Sequence, residues 1–139
     1  MELLFYHCPI CGNVVIKVVD GGTTPVCCGA EMEIMTPKTE DGFFEKHLPV
    51  VERCDHYAYE VKVGKIPHPM TVEHSIQFIC VQGENEIQIR YLSPGDDASA
   101  LFVCEEKPVA VYSYCNVHGL WKTDSFKDFG INKNKRCRS

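Results

Sequence analysis

Four cysteines crowd the first 36 residues of this 139-residue chain: Cys8-Pro-Ile-Cys11 and, after fifteen intervening residues, the adjacent pair Cys27-Cys28. Nothing else constrains the fold as strongly, because this segment holds too few apolar residues for a core of its own. Domains that small need a metal, a disulfide or a partner chain to stay folded. Four thiolates are what a tetrahedral ion site requires, for zinc or for a single iron. A Cys-x-x-Cys turn lets both sulfurs face one point, and Gly12 helps that turn close. The second half is unusual. Neighbouring side chains on an extended strand point to opposite faces, so Cys27 and Cys28 can share an ion only where the backbone bends sharply. Gly29 supplies freedom for that bend, and the expected site is a strained, distorted tetrahedron. A zinc staple would more usually show a second Cys-x-x-Cys.

The chain has nine cysteines, an odd number that no complete disulfide framework accommodates. Its N-terminus, MELLFYHCPICG, carries neither a basic region nor a small-residue cleavage site, so no signal peptide is expected and a cytoplasmic location is the default. In a reducing compartment, clustered thiols are metal ligands or catalytic groups more often than disulfides. A formal net charge of -5 without a basic stripe argues against nucleic-acid partners. No apolar run is long enough to span a bilayer.

A polar break carrying both Pro and Gly runs from Thr36 to Gly42. We read residues 1–36 as a first domain, 37–42 as a linker and 43–139 as a second domain. From Phe43 onward the sequence is a series of short strand-like runs: Tyr57–Val63, Ser75–Val81, Glu86–Leu92, Ala100–Cys104 and Val109–Cys115. In the first of these, Tyr59, Val61 and Val63 share one face, and Glu60 and Lys62 the other. Breakers such as Ser93-Pro94-Gly95-Asp96-Asp97 separate the runs. Short strands at such spacing predict an all-β, antiparallel sandwich or barrel. No amphipathic helix is expected, and the polar, basic tail from Asn132 reads as frayed.

Five cysteines remain. Cys54, Cys80 and Cys104 lie in or beside strand-like runs, where a free thiol behaves as a small buried hydrophobe, and Cys137 falls in the tail. Only Cys115 has a metal-binding neighbour, His118, in the stretch Tyr114-Cys-Asn-Val-His-Gly-Leu-Trp121. With no second thiolate pair, its co-ligands must be nitrogens. Four of the six histidines fall in loop-like contexts: His47, His68 between two prolines, His74 and His118. His7 and His56 lack such settings and read as ordinary surface or partly buried residues. Four imidazoles and one thiolate would make a five-coordinate centre with an open sixth position. No structural zinc site needs that set, and a redox iron suits it.

Cys8, Cys11, Cys27 and Cys28, then Glu45-Lys46-His47, Pro67-His68-Pro69-Met70, Glu73-His74 and the Cys115–His118 stretch together resemble desulfoferrodoxin, the family of two-iron superoxide reductases. The resemblance spans both domains in order and spacing. It implies a desulforedoxin-like first domain with a tetrathiolate iron on Cys8, Cys11, Cys27 and Cys28. It implies an immunoglobulin-like β-sandwich as the second, with a second iron held by His47, His68, His74 and His118 around it and Cys115 as axial ligand. Two iron ions per chain follow. The implied reaction is one-electron reduction of superoxide to hydrogen peroxide at the ferrous centre. Lys46 would steer the anion and order water for protonation, and Glu45 would be the carboxylate that takes the open position once the iron is ferric. The resemblance also implies a homodimer and a rubredoxin-like electron donor. An electron carrier using only the tetrathiolate centre, or a zinc-stapled binding module, are the readings it competes with.

Overall fold

The computed structural model describes residues 2–40, 47–64, 66 and 68–126. Backbone contacts divide the chain into two units, Met1–Thr36 and Pro37–Ser139. No helix occurs among the described residues, and all regular structure is β.

In the first unit, β1 (Phe5–His7) lies between β2 (Val14–Ile16) and β5 (Glu33–Met35), both antiparallel to it. A short hairpin, β3 (Val26–Cys27) and β4 (Ala30–Glu31), completes it. One interior cluster is Tyr6, Cys8 and Met32, with Leu4 and Cys27 packed against them, and Leu3 and Phe5 are the other buried apolar residues described in this unit. Two of the five in that cluster are expected ion ligands, which is how a segment too small for an apolar core is held together.

Among the described residues, the second unit forms a sandwich of seven strands. Strand β6 (Pro49–Asp55), β7 (Ala58–Val63) and β10 (Ser99–Val103) form one sheet in the order β10-β7-β6. Strand β8 (Ile76–Gln82), β9 (Ile87–Tyr91), β11 (Ala110–Cys115) and β12 (Gly119–Thr123) form the other, in the order β12-β11-β8-β9. Every pairing is antiparallel. Hairpins join β6 to β7, β8 to β9 and β11 to β12, and the remaining connections cross between sheets, as in immunoglobulin-like sandwiches.

The core follows the period of two in these strands. Tyr59, Val61 and Val63 from β7, Phe102 from β10, Ile79 and Val81 from β8 and Val111 from β11 meet between the sheets. Glu60, on the face opposite Tyr59, Val61 and Val63, is also buried, and Lys62 Nζ approaches its carboxylate at 3.4 Å. A buried carboxylate needs such a partner. Along β11 the core face reads Val111, Ser113, Cys115, so the alternation itself delivers the thiol to the end of the sandwich core. The segment expected as a linker makes a contact with the second sheet: Lys38 bridges in parallel to Trp121 on β12.

Phe102→Ala opens a void in this core. It should lower the stability of the second unit by about 3–5 kcal/mol, seen as an earlier denaturant midpoint with an unchanged slope.

Candidate metal centres

In the first unit, Cys8, Cys11, Cys27 and Cys28 offer sulfurs that all lie within 4.8 Å of one another. Cys11 Sγ is 3.5 Å from Cys27 Sγ, and Cys27 Sγ is 3.9 Å from Cys28 Sγ. Sulfurs about 2.3 Å from one tetrahedral ion stand about 3.8 Å apart, and the two distances bracket that spacing. The Cys8–Cys11 loop is closed by Gly12 N–H donating to Cys8 O at 2.9 Å, and Cys11 N–H points at Cys8 Sγ at 3.5 Å.

The sharp bend expected at the vicinal pair is a two-residue turn. Cys27 pairs with Ala30 across a two-residue loop, Cys28-Gly29, and both loop residues have positive φ, 55° and 75°. Two positive φ values are the signature of a type I′ hairpin turn. The bend therefore falls on Cys28 itself, the one described non-glycine residue with positive φ, at a cost of about 1–2 kcal/mol.

Hydrogen bonding from the Cys11 backbone N–H lowers the Cys8 thiol to about 6, with burial opposing. Contact with Cys11, then Cys27, pushes the Cys28 thiol up to about 12. Four adjacent thiolates cannot coexist without a cation to neutralise them.

The second cluster is His47, His68, His74, Cys115 and His118, whose ligand atoms again lie within 4.8 Å of one another. The imidazoles form a closed square. Ring centroids are 4.6 Å apart for His47–His68, 4.8 Å for His68–His74, 5.0 Å for His74–His118 and 4.7 Å for His118–His47. Each adjacent pair meets edge to face. His118 Nδ1 lies 3.1 Å from His47 Nε2, and two nitrogens about 2.1 Å from one ion at right angles stand about 3.0 Å apart. Cys115 Sγ is 3.9 Å from His118 Nδ1. The thiol is fully buried at 0% exposure, whereas His74 and His118 are half-buried. The sulfur thus forms the floor of the site.

Local structure aims each ligand. The register between β8 and β11 shifts between Tyr114 and Cys115, where Gln77 of β8 is the extra residue across from the ligand. The loop Asn116–His118 closes on Gly119, whose φ of 83° an L side chain would resist. His118 N–H points back at Cys115 Sγ at 3.4 Å. His68 Nδ1 bonds Pro69 O at 2.7 Å, which leaves Nε2 as its donor atom. Burial, its largest influence, holds His68 below the usual histidine range and keeps it neutral, the ligand form. Ser113 Oγ donates to His47 O at 2.8 Å, and the Trp121 ring stacks on His47 at 4.6 Å and 9°. The Nε2 atoms of His68 and His74 are buried without a hydrogen-bond partner. Orphaned imidazole nitrogens converging on one point are the mark of a site built for an ion.

A family model described as desulfoferrodoxin matches residues 39–124, and one described as desulfoferrodoxin, N-terminal domain, matches residues 2–35. The chain belongs to the desulfoferrodoxin family. It is 40% identical to a desulfoferrodoxin of Desulfarculus baarsii, over 89% of this chain and 98% of that one. A superoxide reductase of Pyrococcus furiosus is 32% identical over 64% of this chain and 94% of its own. Among solved structures, the superoxide reductase of Treponema pallidum superposes with a TM-score of 0.76 at 28% identity, covering 88% of this chain and 98% of that one. The two clusters fit the two iron sites of the desulfoferrodoxin family.

Glu45 and Lys46 lie outside the described residues, as does Cys137. His7 lies in β1 and His56 in the turn after β6, and neither joins a cluster. Burial raises Cys80 to about 12 and Cys104 to about 11, as expected of inert core thiols. Cys54, expected to be a free buried thiol, is disulfide-bonded where β6 ends in a bulge. Its strand context could not distinguish these states.

Asn116 carries a function that its place in the Cys115–His118 stretch hid. Its Nδ2 donates to Glu73 O at 3.0 Å, and its Oδ1 accepts from Ser75 N–H at 3.0 Å. The side chain thus grips the backbone on both sides of His74 and ties that loop to the loop of Cys115. Thr71 Oγ1 braces the same loop, accepting from His74 N–H at 3.1 Å. Asn116→Ala should weaken metal binding at the histidine-rich site about 10-fold without altering the tetrathiolate site, as read by chelator competition. Equal affinities in mutant and parent would show that Thr71 suffices to hold His74.

Proposed function

We propose that this chain is a superoxide reductase, acting at the site of His47, His68, His74, His118 and Cys115. The observation that carries this reading is the square of four imidazoles over one fully buried thiol. That donor set would hold an iron ion, which would supply one electron to superoxide, two protons completing hydrogen peroxide.

The residues around the site do the rest. Neutral imidazoles and one thiolate leave about one positive charge on a ferrous site, so an anion is drawn to it although the chain carries -5 overall. The buried Cys115 thiolate donates electron density, and the His118 N–H moderates that donation at 3.4 Å. Lys46, next to His47 in sequence, would add a second positive charge and order water for proton delivery. Glu45 would supply the carboxylate for the open position of the oxidised site. The boundaries that go with this reading are a tetrathiolate domain over 1–36, a linker over 37–42 and a catalytic domain over 43–139.

A rubredoxin-like protein would return the electron, since one electron per turnover must come from outside. A homodimer is supported by the apolar residues that the first unit exposes, Ile10, Val18, Val19, Val26 and Ile34. For location we keep the cytoplasmic default, which goes with the free thiols of the first unit and against which the disulfide at Cys54 counts. No described helix is long and apolar enough to cross a membrane.

Three outcomes test the reading on the iron-loaded, reduced chain mixed rapidly with superoxide. The parent should consume superoxide. Lys46→Ala should react more slowly and lose most of the salt dependence of the parent; an unchanged rate with full salt dependence would remove Lys46 from the mechanism. Cys11→Ser should lose the tetrathiolate spectrum yet keep single-turnover reduction, and loss of both would tie the two centres together.

A further inference from the structure

Lys38 stands beside the histidine-rich site with no role yet assigned. Its main chain is fixed against β12: Lys38 N–H donates to Leu120 O at 2.9 Å, and Lys122 N–H donates to Lys38 O at 2.9 Å. From that anchored position its Nζ donates to the backbone carbonyl of His118 at 3.0 Å. The same ammonium lies 5.0 Å from the centroid of the Trp121 ring, within cation–π range. The same ring stacks on His47. One cation therefore touches two supports of the site, the peptide that follows the His118 ring and the indole that backs the His47 ring. Among the described residues no carboxylate pairs with it.

We propose that Lys38 is a positioning residue of the histidine-rich centre whose ammonium braces His118 and the Trp121–His47 stack and raises the reduction potential of the ion held there. Oxidation of that ion adds a positive charge, and a fixed cation nearby disfavours the added charge. Lys38 thereby favours the reduced, superoxide-ready state and eases electron return from the donor. Because the side chain is exposed, its influence is screened by salt. The assignment rests on iron occupying this site, and its readouts do not require superoxide.

The test compares the full-length, iron-loaded parent with Lys38→Met and Lys38→Gln, which remove the charge, and Lys38→Arg, which keeps it. Both neutral variants should lower the midpoint potential of the histidine-rich centre at low ionic strength, and the difference should shrink in high salt. Arginine should restore the parent value. The tetrathiolate centre serves as an internal control and should not move. In the metal-free chain, Trp121 is the single tryptophan, so Lys38→Met should also change tryptophan emission. Neutral variants with the parent's potential at low salt, or a shift that arginine fails to restore, would overturn the electrostatic role. A potential shift in a protein that does not consume superoxide would uphold Lys38 and overturn the reductase reading instead.

Discussion

The second unit is organised around one constraint: four imidazole nitrogens and one sulfur must converge at the end of a sandwich core without an apolar plug between them. Buried polar atoms left unpartnered are costly, and the orphaned nitrogens of His68 and His74 are tolerable only if something occupies the point they share. The surrounding structure serves that convergence. The bulge on β8 across from Cys115, the positive φ of Gly119, the hydroxyl of Ser113 on His47 and the amide of Asn116 around His74 tie the ligands to the strands of the sandwich. Rigid strands supply the thiolate, and braced loops supply the nitrogens.

Electrostatics explains how an acidic protein can attract an anion. The chain as a whole is negative, but the ligand set is nearly neutral apart from its single thiolate, so a divalent ion there leaves a local positive spot. Lys38 adds a positive charge beside it. Such a spot governs encounter within a Debye length, whatever the global sign. Meanwhile the burial of Cys115 protects the donating sulfur from solvent and from competing thiol chemistry.

Much of this was legible in the chain because the chemistry is carried by scarce residue types. Cysteines at 8, 11, 27, 28 and 115 and histidines at 47, 68, 74 and 118 form two clusters in space, as their contexts suggest. Alternating runs such as Tyr57–Val63 became strands because their apolar faces meet between the sheets. What was not legible depends on long-range pairing or on backbone angles. The expected linker contributes Lys38 to the edge of β12 through a partner 83 residues away in sequence, Trp121. No local pattern encodes that. Cys28 takes a left-handed conformation that a non-glycine residue rarely adopts, because the hairpin turn and the shared ion position outweigh the local preference. Glu60 alternates like a solvent-facing residue yet is buried, since alternation assigns a face and not what covers it.

The most direct test of the account is the product stoichiometry of a single turnover. The iron-loaded, fully reduced chain would be mixed anaerobically with less than one equivalent of superoxide, and hydrogen peroxide and dioxygen would both be measured. The account predicts one peroxide for each superoxide consumed and no dioxygen. Half a peroxide per superoxide with dioxygen released would mark a dismutase, and superoxide decaying no faster than in buffer would deny the site any such chemistry. Either result would contradict the assignment.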